Sequence, residues 1–396
     1  MIRIQRKQYT AILDSLQDKN LIKVVTGIRR CGKSTLLEIQ REKLEEKGLH
    51  TLYYNFEDPD MGASNQWNVL YKGIIDSCKP DEMNYIFLDE VQMITHFERL
   101  VDSLFVKENT DVYITGSNAF LLSSGLATLL SGRYFELNIL PFSYLEYREC
   151  LPDATLTDYL HTGAMPGVVD LLSESENLAL KYLNDVYNSV VLQDVITRNN
   201  ISNPRELFSV ARFAFDSVGS PLSPNSISRS LKNENKNVDN RLVFKLLEAL
   251  KDAFVLYESK RFDIKGKEQL RTISKFYLID LGFRRMLIGK PKFTDIGHLL
   301  ENMVYLELIR RGNTVRTGKY GENEIDFVVQ NQKGVTEYYQ VAYTAKEEST
   351  LQRELRPFEK LNDNFRKILL TTDEMEFNHQ GIEQLNIEKW LLRSDF

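Results

Sequence analysis

A strand, a glycine loop and a helix meet between Leu21 and Leu37, and this stretch limits what the rest of the chain can be. Leu21 to Thr26 is apolar and β-branched apart from Lys23, as a buried strand requires. Gly27 ends it, and Gly32, Lys33 and Ser34 follow at the spacing G-x-x-x-x-G-K-S. Leu36, Leu37, Ile39 and Leu44 then recur at helical spacing. Strand, loop and helix in that order are the context of a phosphate-binding loop. Glycine permits backbone geometry that a β-carbon hinders, and the positive end of the helix adds to the same field. The expected nucleotide-binding residues are Gly27, Ile28, Arg29, Arg30, Cys31, Gly32, Lys33, Ser34 and Thr35. Lys33 is a point charge for the β- and γ-phosphates, and Ser34 offers a hydroxyl to Mg²⁺.

A second motif completes the first. Tyr85 to Leu88 is apolar and is followed at once by Asp89 and Glu90. This is the Walker B pattern: Asp89 holds Mg²⁺ through water, and Glu90 polarises the attacking water. The strand Val112–Thr115 ends in Gly116, Ser117 and Asn118, either of the last two being a candidate to position water. The same residues also read as a turn capping a helix. Arg133, ahead of the strand Tyr134–Leu137, is a candidate arginine finger in its own subunit or a neighbour's, or a plain surface arginine. A lead-in helix is expected over Gln5–Asp18 and a strand over Thr51–Phe56, followed by the acidic Glu57, Asp58 and Asp60. Strands alternating with helices predict a parallel sheet whose carboxyl ends hold the ligand. From Phe142 to Arg198 the pattern turns helical, broken at Gly163–Gly167, and reads as a lid.

The motifs VVTGIRRCGKST (Val24–Thr35), YIFLDEVQ (Tyr85–Gln92), ITGSNAFLLS (Ile114–Ser123), SGRYFEL (Ser131–Leu137) and LPFSYLEY (Leu140–Tyr147) resemble a known family. So do YLHTGAMPGV (Tyr159–Val168) and VVLQDVITR (Val190–Arg198). The chain is similar over its full length to the bacterial and archaeal AAA-type ATPases that carry DUF4143 at the C-terminus. The resemblance implies a P-loop ATPase core with Mg-ATP as ligand.

At 396 residues, two to three domains are expected. The net charge of −6 argues against a uniform coat of nucleic acid, but the charge is uneven. Residues 201–290 hold 17 Lys and Arg against 10 Asp and Glu, leaving −13 on the other 306 residues. Helical patterns at Arg205–Phe215, Ser226–Leu231 and Arg241–Leu250 precede a hairpin of Val255–Arg261 and Lys275–Ile279. That is the order of a winged helix. It reads as a duplex-DNA module with Arg229, Lys232, Arg241 and Lys245 on phosphates, or as a packing module. Three scattered cysteines, Cys31, Cys78 and Cys150, leave no CxxC metal site and fit a reducing cytoplasm. No apolar run reaches membrane-spanning length, so no membrane partner is expected.

Residues 291–396 read as a helix over Ile296–Arg311, strands at Thr314–Gly318, Phe327–Val329 and Glu337–Tyr343, and a last strand at Ile368–Leu370. The order resembles the PD-(D/E)XK nuclease fold, which implies Glu301 as helix carboxylate, Asp326 as metal ligand and Gln340 as second ligand. The lysine position of that motif holds Ala342, and Lys346 lies beyond the strand, so a degenerate site is expected.

The whole chain therefore reads as α/β: an AAA-type ATPase core with helical lid (1–200), a winged helix (201–290) and a restriction-endonuclease-like domain (291–396). ATP and Mg²⁺ are the expected cofactors, and double-stranded DNA a candidate partner. The alternative is a slow nucleotide-gated switch or scaffold that binds a protein partner. If Arg133 acts on a neighbour, the protein self-associates.

Overall fold

The structure is a computed structural model that describes residues 3–58, 66–117, 130, 132–234 and 238–393. The chain divides into two compact units. One is Met1–Leu140 with Asp252–Phe254, and the other is Pro141–Lys251 with Val255–Phe396.

The first unit is built on five parallel strands: β1 (Ile22–Thr26), β2 (His50–Asn55), β3 (Asn84–Asp89), β4 (Thr110–Gly116) and β5 (Tyr134–Asn138). Their order is β2-β3-β4-β1-β5. β1 and β3 are buried along their whole length, which is why their sequences run apolar instead of alternating. Val24, Ile86, Leu88, Val112 and Ile114 form the core with Leu100, Val101 and Leu104 of the helix Phe97–Phe105. The helix Lys33–Glu46 follows β1 directly, and a lead-in helix covers Lys7–Leu16. Lys23, the one charge in β1, is 1% exposed and paired with buried Asp111 of β4. Register Thr26↔Gly116 and Leu88↔Ile114 brings the carboxyl ends of β1, β4 and β3 level.

The second unit begins with short helices at Tyr144–Cys150, Leu156–Thr162, Pro166–Leu172 and Glu176–Ser189, the last running on as a π-helix over Val190–Thr197. The helices read as a lid thus cluster with the C-terminal part of the chain, and the first unit ends at Leu140 instead of residue 200. The GAMPG break has a local cause. Asp280, 2% exposed, accepts N–H bonds from Ala164 (2.6 Å) and Gly282 (2.8 Å) and also holds Met165. A Cβ on Gly163, whose φ is +74°, would lie 1.9 Å from the Asp280 Oδ1.

Three helices follow, Pro204–Asp216, Pro224–Asn233 and Asn240–Asp252, with the short strand β6 (Pro221–Leu222) between the first two. Ser223 starts the second by accepting the Ser226 N–H (3.2 Å), with Pro224 at the first helical position. β7 (Leu256–Asp263) and β8 (Glu268–Leu278) form an antiparallel hairpin, and β6 pairs with β8. A helix (Ile296–Arg310) then leads to β9 (Thr314–Tyr320), β10 (Asn323–Gln330) and β11 (Thr336–Val341). After the helix Glu348–Glu359 come β12 (Arg366–Thr371), β13 (Phe377–His379) and β14 (Ile382–Asn386). No sheet boundary falls at residue 290. β7 runs parallel to β9 from Arg261↔Thr317 to Asp263↔Lys319, so one nine-stranded sheet, β13-β14-β12-β11-β10-β9-β7-β8-β6, spans both expected domains.

Candidate functional site

The phosphate loop lies between β1 and its helix. Gly27 has φ +148°, and a Cβ there would sit 2.4 Å from the Ile139 carbonyl oxygen, so only glycine fits. Gly32 (φ +99°) turns the chain into the helix, whose first N–H groups have no partner within the helix itself. Arg6, 4% exposed, holds the loop from behind by donating to the carbonyls of Cys31 (3.1 Å) and Leu140 (2.7 Å). Cys31 is fully buried with its thiol 3.7 Å from the Ile139 oxygen, and burial pushes its pKa up, so it stays protonated as a packing residue. Arg29 reaches Glu57 (2.5 Å), which ties the acidic stretch after β2 to the loop. Asp60 lies outside the described residues.

Lys33 is 3% exposed, and its Nζ donates to the carbonyls of Gly27 (3.2 Å) and Ile28 (3.3 Å) and to Ser117 Oγ (2.9 Å). It also lies 3.5 Å from Glu90. Ser117, just past β4, donates to the Glu90 carboxylate, its Oγ 2.8 and 3.0 Å from the two oxygens. Gln92 holds the same carboxylate. Glu90 has φ +56°, a bend that takes it out of line with β3, and its N–H donates to Thr115 Oγ1 (2.8 Å). Burial pushes the Glu90 carboxyl up, but Lys33, Ser117 and Gln92 outweigh it and hold the group below its ordinary value. It is therefore an ionised, oriented carboxylate, as a general base needs to be.

Asp89 is fully buried. One oxygen accepts from Thr115 Oγ1 and the other from Tyr53 OH (2.9 Å). Among the described residues no cationic side chain stands within ion-pair distance of it, so a buried carboxylate has two hydroxyl donors and no countercharge. That donor set, with Ser34 in the first turn of the helix, suits a hard cation such as Mg²⁺.

Two sequence candidates fall elsewhere. Asn118 lies outside the described residues. Arg133 stands at the opposite edge of the sheet, because it precedes β5 and β5 runs parallel to β1: the Ile22 N–H donates to the Arg133 carbonyl (2.8 Å). The length of β1, about 13 Å at 3.3 Å per residue, separates it from the loop. Its guanidinium, half exposed, pairs with Asp102 (2.8 Å), so the structure corrects any role within its own chain. Tyr53 and Arg6 were not singled out from the sequence. Thr115 was legible as a polar strand end at the carboxyl side of the sheet, whereas nothing near Arg6 points to a loop 25 residues on.

The C-terminal candidates come together around a residue that the sequence reading missed. Glu301 of the helix Ile296–Arg310 and Asp326 of β10 both face Lys275 of β8, whose Nζ lies 2.8 Å from Glu301, 2.8 Å from Glu324 and 3.5 Å from Asp326. Tyr277 donates to Glu301 (2.6 Å), and the Val341 N–H to Asp326 (2.9 Å). Burial, then Glu301, raises the Asp326 carboxyl; burial is outweighed by Lys275, which with hydrogen bonds from His298 and Tyr277 keeps Glu301 low. Gln340 is turned away: its Oε1 accepts the Asp326 backbone N–H (3.2 Å) and its Nε2 donates to Glu354 (3.2 Å). Among the described residues, no group of His, Cys, Asp and Glu is arranged to hold a metal ion. For Lys275 itself, the sequence signal was a lysine opening the apolar strand run KFYL.

The chain is 36% identical over 407 residues to an uncharacterized protein of Haemophilus influenzae, covering 98% of this chain and 99% of that one. The chain belongs to that protein's family. Residues 19–148 match the AAA domain model, so this family carries an AAA-type P-loop domain. Residues 153–294 match a domain of unknown function, DUF8612, where the resemblance had implied DUF4143 toward the C-terminus. An uncharacterized protein of Methanocaldococcus jannaschii is 27% identical over 391 residues, 93% of this chain and 85% of its own. Among solved structures, AMPPCP-bound DnaA from Aquifex aeolicus covers 62% of this chain and 88% of its own at 14% identity and a TM-score of 0.32. No described helix is long and apolar enough to cross a membrane.

Proposed function

We propose that this chain is a Mg-ATP-dependent ATPase that couples its nucleotide state to a winged helix and a catalytically silent nuclease-like fold, and that it acts on duplex DNA. The observation that carries the ATPase reading is the convergence of Lys33, Ser117 and Glu90 at the mouth of the loop. Lys33 and Ser34 hold the phosphates and Mg²⁺, Asp89 orients the ion's water, and Glu90 takes the proton from the attacking water. Mg²⁺ supplies charge neutralisation when it is bound. A γ-phosphate contact from Arg133 requires a second copy of the chain, given its place at the far sheet edge.

The helix–strand–helix–helix–hairpin order of Pro204–Leu278 supports a winged helix. Its third helix exposes Arg241, Phe244 and Lys245 on one face, the side chains that would meet a duplex. Phe244, 56% exposed, equally favours the second reading, a slow switch whose helix docks a protein partner. ATP hydrolysis with Mg²⁺, with and without duplex DNA and beside a Lys33→Ala blank, separates the two. Stimulation by DNA supports the first reading, and slow turnover indifferent to DNA supports the second.

A further inference from the structure

The resemblance of the C-terminal order to the PD-(D/E)XK fold implies a divalent metal held by carboxylates of the helix and the central strands. In this chain the corresponding carboxylates, Glu301 and Asp326, already share a cation. Lys275 is 4% exposed, and its three N–H groups are matched by three acceptors at 2.8, 2.8 and 3.5 Å. Each carboxylate also has a second partner: Tyr277 OH donates to the Glu301 oxygen that faces Lys275, while the Val341 N–H and Arg261 (3.6 Å) hold the other oxygens of Asp326 and Glu324. The remaining ligand position is also lost, since Gln340 spends its oxygen on the Asp326 backbone and its nitrogen on Glu354.

We propose that Lys275 is the resident cation of this cluster, standing in the place of a divalent metal and keeping one out. The inference rests on the nuclease-like reading of the C-terminal fold. A metal ion such as Mg²⁺ draws its oxygens to about 2.0–2.1 Å and demands octahedral geometry. It cannot share the space with an ammonium nitrogen 2.8 Å from two of those oxygens, and the positive charge of Lys275 repels it. The ammonium neutralises the carboxylates as a metal would, but it can neither polarise a phosphoryl oxygen nor lower the pKa of a bound water. The site is thereby a closed structural joint between β8, β10 and the helix Ile296–Arg310. The lysine comes from the hairpin strand β8, so the two expected C-terminal domains share this one charge centre.

The test counts Mn²⁺ bound per full-length chain by electron paramagnetic resonance, without nucleotide. The wild type and Asp326→Asn bind equal numbers of ions, because the cluster holds none. Lys275→Met gains one ion per chain, and the double variant Lys275→Met/Asp326→Asn loses it again. A wild type that loses one Mn²⁺ on Asp326→Asn overturns the proposal, as does a folded Lys275→Met that gains none. If Lys275→Met fails to fold, the comparison of wild type with Asp326→Asn still decides. ATP turnover is not read in this experiment, so failure of the ATPase reading shows separately.

Discussion

The ammonium of Lys33 lies 3.5 Å from the carboxylate of Glu90, with the hydroxyl of Ser117 bonded to both. On the proposed ATPase reading, the residue that grips the γ-phosphate is thus held by the residue that activates water. Incoming ATP has to draw Lys33 off Glu90 and off the carbonyls of Gly27 and Ile28. Glu90→Gln removes the competing charge. It is expected to bind ATP at least as tightly as the wild type and to hydrolyse it about 10²–10⁴-fold more slowly. Equilibrium nucleotide binding beside steady-state turnover checks this, and near-normal turnover would place the base elsewhere.

Ser117→Ala leaves both charges but removes one of the two side chains that orient the carboxylate, leaving Gln92 alone. A hydrogen bond to a charged group is worth about 1.5–3 kcal/mol. Turnover is therefore expected to fall about 10–100-fold, with nucleotide affinity changed far less. A mutant that lost binding and turnover equally would make Ser117 a phosphate ligand instead.

The acid limb of the rate profile follows from the direction of the Glu90 shift. Its carboxyl is held below the ordinary value, so on the proposed reading the acid limb of activity lies below that of an ordinary glutamate. The same shift stabilises the folded chain at pH values above the unfolded pKa, and that contribution is lost as pH falls through the folded one. A kcat/KM profile whose acid limb sits at or above the ordinary glutamate value would contradict the ion pair.

Arg6 donates to two buried carbonyls, one of them in the phosphate loop. Arg6→Ala leaves both without that partner and is expected to cost about 2–4 kcal/mol, with weaker ATP binding because the loop loses its brace. Denaturant unfolding and nucleotide titration on the same variant test both effects.

Asp280 is fully buried, and burial pushes its pKa from 3.8 up to about 6 against its three N–H bonds. Between those values the folded chain holds a proton that the unfolded chain has released, so stability falls as pH rises through this window. A shift of this size corresponds to about 3 kcal/mol. The advantage of the wild type over Asp280→Asn is expected to shrink by up to that amount between pH 4 and pH 6, measured by chemical denaturation. Gly163→Ala, which drives a methyl into Asp280, is expected to destabilise the second unit by about 3 kcal/mol or more.

Sequence alone exposed what is local. The loop from Gly27 to Thr35 and the carboxylates closing β3 are set by neighbours in the chain, and the rule that ligands gather at the carboxyl ends of parallel strands points to Thr115 and Ser117. The same rule, applied to Arg133, already sets it at the wrong edge, since it comes before its strand instead of after it. Arg6, Tyr53 and Lys275 were hidden for a different reason. Each acts on partners at least 25 residues away, and no periodicity records such a meeting. The border at 290 was hidden for the same cause, because the pairing of β7 with β9 is parallel and joins strands separated by a helix-rich stretch.

That pairing also governs how the chain can be divided. Cutting between Ile288 and Ile296 leaves β7 with a bare row of N–H and C=O groups on one fragment and β9 with its mirror on the other. It also parts Lys275 from Glu301 and Asp326, leaving unpaired buried charge on both pieces. The hairpin and the C-terminal strands therefore have to be carried together, and a truncation that removes β9 strips the hairpin of its sheet neighbour.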